Sequence, residues 1–271
     1  MQERRGAGME DKAVKEVEMI NMKALFRSER LKMRHSFGSY LPPLAALLQV
    51  AVSLFMSMGT AYYSVNAWNW WYTMLLPGML AILCYLCIIK EKRQHYANML
   101  TTQVWPGRCW AGKILYCASG LLCANLLIFA GTALGGLIVG SSIPTGSGFA
   151  AALLLTVCSL WEIPLYLILS VRFGMFATVF TCMVLTVGSL IALGASRLWW
   201  ICPASIPFRL MCPVLQIMPN GLLVEAGSRY MHADVILPGV TLSVIWFGVL
   251  AVVTARWFGR MMDGKVKGTE K

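Results

Sequence analysis

The stretch from Asn69 to Lys113 constrains this chain more than any other. It begins Asn69-Trp70-Trp71-Tyr72, stays apolar through Pro77-Gly78 to Ile89, and then breaks into Lys90-Glu91-Lys92-Arg93. A connector follows, passing Trp105-Pro106-Gly107-Arg108 to reach Lys113, where the next apolar run begins. Aromatic amphipaths stand at one end of a membrane-length run and a cluster of cations at the other. Indole and phenol rings prefer the headgroup zone, and Lys and Arg are retained on the cytoplasmic side. The segment thus predicts an orientation for the rest of the chain, with Trp70 outside and Lys90 inside.

Five further apolar runs fit the same frame: Ser39 to Tyr62, Ile114–Val139, Phe149–Leu169, Met175–Leu193 and Val235–Phe258. With Trp70–Ile89 they make six, each near the roughly 20 residues a helix needs to span a bilayer. In the first, Ser39 is expected to cap the helix, with Pro42-Pro43 in its first turn. In the third, Gly131-x-x-x-Gly135 and Gly136-x-x-x-Gly140 predict a surface that another helix approaches closely. The fourth and fifth are joined by a tight turn over Ser170-Val171-Arg172-Phe173-Gly174.

Composition agrees. The chain is 58% apolar and 13% charged, where soluble domains run about 45–50% and about 25%. The net charge of +11 is not a nucleic-acid footprint, because the cations sit at the ends of apolar runs. With the N-terminus inside, twenty of the twenty-three Lys and Arg fall on the cytoplasmic side. The three outside are Arg197, Arg209 and Arg229. That bias predicts both termini inside and an even number of spans.

The expectation is therefore an all-α integral membrane protein with six transmembrane helices. Residues 1–38 form a basic cytoplasmic segment, 39–258 the six-helix domain and 259–271 a cytoplasmic tail. The first segment has no apolar core before a cleavage site, unlike a signal peptide. From Met22 a pattern of Leu25, Phe26 and Leu31 among Lys23, Arg27, Arg30, Lys32 and Arg34 fits either a basic helix on the inner membrane surface or a solvated tail that sets topology. A start at Met22 is consistent with that pattern.

Two connecting segments stand out. The cytoplasmic connector 90–113 carries Tyr96, Leu100, Val104 and Trp105 at roughly helical spacing among Lys92, Arg93 and Arg108. It suits a short helix that docks on a cytoplasmic partner or rests on headgroups. The external segment 194–234 is long yet apolar, through Trp199-Trp200-Ile201-Cys202-Pro203, Ile206-Pro207-Phe208-Arg209-Leu210-Met211-Cys212-Pro213 and Met218-Pro219-Asn220-Gly221. Prolines interrupt it before any piece reaches spanning length, as in re-entrant or interfacial segments.

Few residues carry chemistry. Glu162, in Trp161-Glu162-Ile163-Pro164, is the one acid inside an apolar run. A carboxyl at that depth is costly and faces a protein interior, a cavity or a partner. It is a candidate for contact with a cationic substrate or for a gating hydrogen bond; the plainer alternative is a carboxyl bonded to backbone loosened by Pro164. Trp70, Trp71, Trp199 and Trp200 read first as interface anchors. Cys84-Tyr85-Leu86-Cys87 has C-x-x-C spacing but no His or carboxylate beside it. Cys202 and Cys212 share the external segment, and their pairing is open. His35, His95 and His232 are too scattered for a metal site or a catalytic triad. No G-x-x-x-x-G-K-[ST] is present, so the chain has no ATPase motif of its own.

Three blocks carry a resemblance. They are Asn69-Trp70-Trp71-Tyr72-Thr73 through Leu76-Pro77-Gly78 to Lys90-Glu91-Lys92; Trp161-Glu162-Ile163-Pro164-Leu165 leading to Phe173-Gly174-Met175-Phe176; and Trp199-Trp200 through Pro203, Pro207, Arg209-Leu210-Met211-Cys212-Pro213 and Pro219-Asn220-Gly221-Leu222. In this order they resemble lantibiotic-immunity ABC transporter permeases of the MutE/EpiE and MutG type, over roughly Met22 to Trp257 and closer to the E-type. The resemblance implies an ABC-2-type permease in a bacterial cytoplasmic membrane. It implies pairing with a second, homologous permease and a cytoplasmic ATPase that binds ATP and Mg. Such a complex expels a lantibiotic, a cationic lanthionine-containing peptide, from the producer's membrane. The chain itself is then not an enzyme and binds no cofactor or metal. By that analogy the connector, with Glu91, Lys92, Arg93, Tyr96, Leu100, Trp105 and Arg108, couples to the ATPase. Glu162, Trp70, Trp71, Trp199 and Trp200 lie on the substrate path or gate. An ABC-2 permease for another amphiphile, an antibiotic or a lipid, is the alternative of the same class.

Overall fold

A computed structural model of the chain describes residues 22–57, 59–94, 96, 105–192, 196, 198–225 and 227–269. Among these the structure is helical. The single β feature is an isolated antiparallel bridge between Ile217 and Leu223. In chain order the helices are α1 (residues 22–33), α2 (Phe37–Met56), α3 (Tyr63–Trp70), α4 (Leu76–Arg93), α5 (Pro106–Val139), α6 (Thr145–Ser159), α7 (Glu162–Arg172), α8 (Gly174–Ala192), α9 (Ile206–Leu215) and α10 (Ile236–Thr269).

Five helical stretches are long and apolar enough to cross a membrane. They are α2, the continuous Tyr63–Arg93, α5, α8 and the stretch containing α10. The pair α6 and α7 makes a sixth if counted as one span bent by 44°. These are the dimensions of a multi-pass, membrane-embedded helical protein. The stretch Tyr63–Arg93 is the centre of the bundle: 61% of its apolar window is buried against protein, against 11% for the stretch containing α10. Wide apolar faces of α8 and α10, with Phe176, Phe180, Ile191, Leu237 and Val253, remain exposed.

Several expectations need correction in detail. The first span starts at Phe37 rather than Ser39, so Pro42 and Pro43 lie inside the helix, in its second turn. Ser39 does not cap it; its hydroxyl donates to the Met33 carbonyl and ties α2 back to α1. The second span starts at Tyr63 and runs through a π-helical turn, Trp71–Leu75, before α4. Pro77 explains the π turn. A proline ring clashes with the carbonyl four residues back and offers it no N–H, and widening the helix relieves both. The fourth span is not one helix but breaks at Leu160-Trp161. Pro164 does the same there to the carbonyl of Leu160.

Of the two glycine pairs expected on α5, Gly131 and Gly135 make the close approach, whereas Gly136 faces Ser141 and Gly140 lies just past the helix end. A Cβ on Gly131 would lie 2.6 Å from Val50 Cγ2, and one on Gly135 would lie 2.7 Å from Tyr63 Oη. No side chain fits at either position, so α2 and α3 close directly onto the α5 backbone. The Tyr63 hydroxyl donates to the Thr132 carbonyl at this contact.

Contacts sort the loops into two ends. At one end, Lys32 and Glu91 pair, Lys92 donates to the Val171 carbonyl at 3.0 Å, and the Arg172 guanidinium lies 5.9 Å from the Trp257 ring centre. Trp110 stacks on Phe258 at 4.6 Å there. At the other end, Ser142 reaches the Ala61 carbonyl and Asn69 reaches the 218–221 turn. The segments with the cations thus gather at one end of the bundle. That end holds α1 and the part of α10 around Trp257 and Phe258.

Candidate functional site

The three resemblance blocks are distant in sequence, and the fold brings them together. Tyr72, Leu76 and Pro77 from the π turn and the start of α4, Ser159 and Glu162 from the α6–α7 break, and Ala204, Pro207 and Phe208 from the start of α9 line one small cavity of about 10 Å³. That is room for one water at most. Thr186 of α8 completes the wall.

Each wall is placed for a local reason. The proline break at Pro164 puts Glu162 at the first position of α7, where unpaired backbone N–H groups and the helix dipole favour a negative charge. Glu162 is 5% exposed, and its Oε2 has no hydrogen-bond partner. The Ser159 hydroxyl and the Trp161 indole N–H beside it are also buried and unpartnered. Tyr166, one turn on, faces the Glu162 carboxyl. The plainer expectation, a carboxyl bonded to backbone loosened by Pro164, is not met at Oε2. Three orphaned polar atoms within four residues are unusual, because a buried unsatisfied group costs about 1–3 kcal/mol.

The third wall is α9. It has ten residues, about 15 Å, half of what a bilayer requires. It is nonetheless interior: Ile206, Phe208, Leu210, Met211 and Cys212 are buried. Arg209, also buried, donates to the carbonyls of Arg229 and Tyr230, both at 3.1 Å. Asn69 donates to Met218 and Pro219 carbonyls at 3.3 Å each, which pins the turn after α9 to α3. The apolar segment after α8 therefore folds inward as a short helix held by buried polar side chains. Cys202 and Cys212 are free thiols. Ser189 donates to Cys202, and the Cys212 thiol donates to the Phe208 carbonyl.

The tryptophans divide. Trp70 and Trp200 are exposed, and Trp199 is half-buried. Trp71 is not an interface anchor: it is fully buried and its indole N–H donates to Asn125 Oδ1 at 2.8 Å. Asn125 in turn donates to Thr156 Oγ1 at 2.9 Å, linking the π turn to α5 and α6. A polar residue in the middle of the third apolar run was the available sign of this network.

The opposite end holds a set of charges that composition does not reveal. Lys32 Nζ lies 2.7 Å from Glu29 Oε1 and 2.9 Å from Glu91 Oε1. Lys113 Nζ lies 2.9 Å from Glu29 Oε2 and 2.7 Å from Glu91 Oε2. The last contact is an ion pair. Two carboxylates and two ammoniums close a ring of zero net charge around the start of α5. Burial works to raise the Glu29 pKa, but the charges of Lys113 and Lys32 outweigh it and hold the carboxyl below its ordinary range. Burial works to lower that of Lys32, and Glu91 and Glu29 outweigh it and push it up. Lys90 donates to the Lys32 carbonyl at 2.7 Å, near the last turn of α1. Among the described residues, α1 is therefore tied to α4 and α5 by these contacts rather than left as a solvated tail.

The connector residues follow suit. Glu91 belongs to this ring, and Tyr96 is buried edge-on against Phe258 at 6.2 Å. Lys92, Arg93, Trp105 and Arg108 are exposed at the same end. Leu100 and most of the expected docking helix lie outside the described residues. Among the described residues no cluster of His, Cys, Asp or Glu fits a metal ion.

The fold and the buried site define a helical, multi-pass membrane protein. No protein-family model and no curated protein matches the chain.

Proposed function

We propose that the chain is the membrane-spanning subunit of an ABC transporter that expels a lantibiotic from the membrane of the cell that makes it. The single observation that carries this reading is the meeting of the three resemblance blocks around Glu162. Residues tied together only by family pattern converge on one buried, incompletely satisfied cavity beneath a short inward helix. The cation-rich end is the cytoplasmic one by the retention of Lys and Arg, which puts α9 near the outer face.

In this reading the outer mouth is gated by α9. Movement of α9 against Glu162 exchanges the unpaired carboxyl oxygen for a bonded one, so the closed arrangement stores part of the cost of switching. Trp70 and Trp200, with Trp199 behind, line a lateral apolar opening in the outer leaflet where an amphipathic cationic peptide partitions. Trp71 acts from inside, fixing the π turn. At the cytoplasmic end Lys92, Arg93, Trp105 and Arg108 meet a separate ATPase, which holds the ATP and Mg. Glu91 and Tyr96 position that surface. A second, homologous permease completes the complex.

The test is to express the chain with a partner permease and ATPase in a sensitive host and measure inhibitory concentrations for a panel of lantibiotics and unrelated cationic peptides. A large rise for one lantibiotic, lost when the ATPase is inactivated, is the expected result. No rise for any peptide, with the complex assembled in the membrane, overturns it in favour of export of another amphiphile.

A further inference from the structure

The ion ring leaves α1 with an outer face of one sign. Glu29 is turned inward, and among the described residues every ion pair runs between Glu29, Lys32, Glu91 and Lys113. Arg27, Arg30 and Arg34 are exposed and meet none of these carboxylates; Arg27 and Arg30 share a stripe of α1 and Arg34 follows just past its end. Beneath them a crevice of about 720 Å³ opens between α1, α2 and α5. Its rim carries the three guanidiniums with the hydroxyls of Ser39 and Tyr116, and its floor is apolar, from Pro42 to Leu83 and Gly120. The floor closes tightly at Gly120, where a Cβ would lie 2.9 Å from Leu83 Cδ2. Both walls, α2 and α5, are membrane-length helices, so the crevice leads from the charged end of the bundle into the apolar zone.

A cationic rim above an apolar slot selects an amphiphile with an anionic head. Guanidinium forks match phosphate oxygens in geometry as well as charge. A head with net negative charge suits three unpaired arginines better than a zwitterionic one, whose ammonium they repel. We propose that this crevice binds an anionic phospholipid of the leaflet at the cation-rich end, its phosphate under Arg27, Arg30 and Arg34 and one acyl chain along α2 and α5. The bound lipid fills the gap between α1 and the spans α2 and α5.

Native mass spectrometry of the full chain, delipidated in mild detergent and titrated with dioleoylphosphatidylglycerol or dioleoylphosphatidylcholine, tests this. The expected result is preferential retention of phosphatidylglycerol, weakened about tenfold or more in R27Q/R30Q/R34Q. R256Q/R260Q, which removes exposed cations from α10, is expected to leave it unchanged. Ser119→Trp fills the exposed side of the crevice while keeping every arginine, and is expected to abolish retention. Equal retention of both lipids, retention unaffected by R27Q/R30Q/R34Q, or retention surviving Ser119→Trp overturns the proposal. So does full displacement of phosphatidylglycerol by millimolar inorganic phosphate, which marks a free-phosphate site. Should R27Q/R30Q/R34Q fail to fold, Ser119→Trp and the phosphate competition decide.

Discussion

Glu29 with Glu91 and Glu162 are all acids buried in an apolar bundle, and the fold treats them in opposite ways. At the cation-rich end each of the two carboxylates is bridged by both Lys32 and Lys113. At the helix break Glu162 keeps an oxygen with no partner, beside an unpartnered serine and indole. A closed ring of charges rigidifies what it joins. An incompletely satisfied carboxyl is the kind of group that gains from a rearrangement or a ligand. The first region fastens α1, α4 and α5 together, and the second is where a moving part is to be sought.

The sharpest way to break the comparison is to remove one member of the ring. Lys113→Met leaves two buried carboxylates facing one partly exposed ammonium, and should cost about 3–5 kcal/mol of stability, read by thermal or denaturant unfolding in detergent. Replacing all four members with apolar residues of similar volume should restore most of that loss, since ring and apolar core are near equal in net worth. If Lys113→Met is tolerated, the ring is not what fastens α1. The next effect belongs to the π turn: Asn125→Ala strands the Trp71 indole N–H and should cost about 1–3 kcal/mol.

Glu162→Gln probes the other side. With no bond at Oε2 to lose, it should change stability by less than about 1 kcal/mol, while on the proposed function the peptide tolerance of cells expressing the chain with its partners falls clearly. A large destabilisation with normal tolerance would make Glu162 a structural group. Acid titration separates the regions further. The Glu29 pKa is lowered in the fold, so its contribution is present above the ordinary value of about 4.3 and is lost as pH falls through the folded value. The Lys32 pKa is raised, so its contribution holds below about 10.4 and is lost as pH rises through its folded value. A cysteine label on α1 should report undocking outside that window and none within it. The smallest effect is expected from Trp70→Leu with Trp200→Leu: exposed positions, stability within about 0.5 kcal/mol, and a loss confined to peptide tolerance.

Much of the fold was legible in the sequence. Apolar runs of membrane length, cations at their ends and glycines four apart are local or periodic signals, and the bundle, the two-ended sorting of loops and the close α2–α5 approach follow from them. The prolines were legible too, though not their consequence. Pro77 and Pro164 mark where a helix cannot continue regularly, but whether the chain answers with a π turn or a 44° break depends on what packs alongside.

The candidate site was half legible. Glu162 is conspicuous because a lone acid in an apolar run has no local excuse, but Ser159, Tyr72 and Thr186 beside it are ordinary residues made significant by position. Trp71 misled for the same reason: neighbouring tryptophans on a helix point about 100° apart, so one is exposed and the other meets Asn125.

The sequence by itself determined that this chain lives in a membrane, which end carries the positive charge and where its helices fail, because these depend on transfer free energies and backbone sterics that each segment carries alone. Only the tertiary structure decided which charges are paired and which are left over. Glu29, Lys32, Glu91 and Lys113 are spread over some 80 positions, and in sequence they are four charges among the many that flank apolar runs. Burial selects between them: desolvation is tolerable only where opposite charges meet at hydrogen-bond distance, and that meeting is a property of the packed bundle.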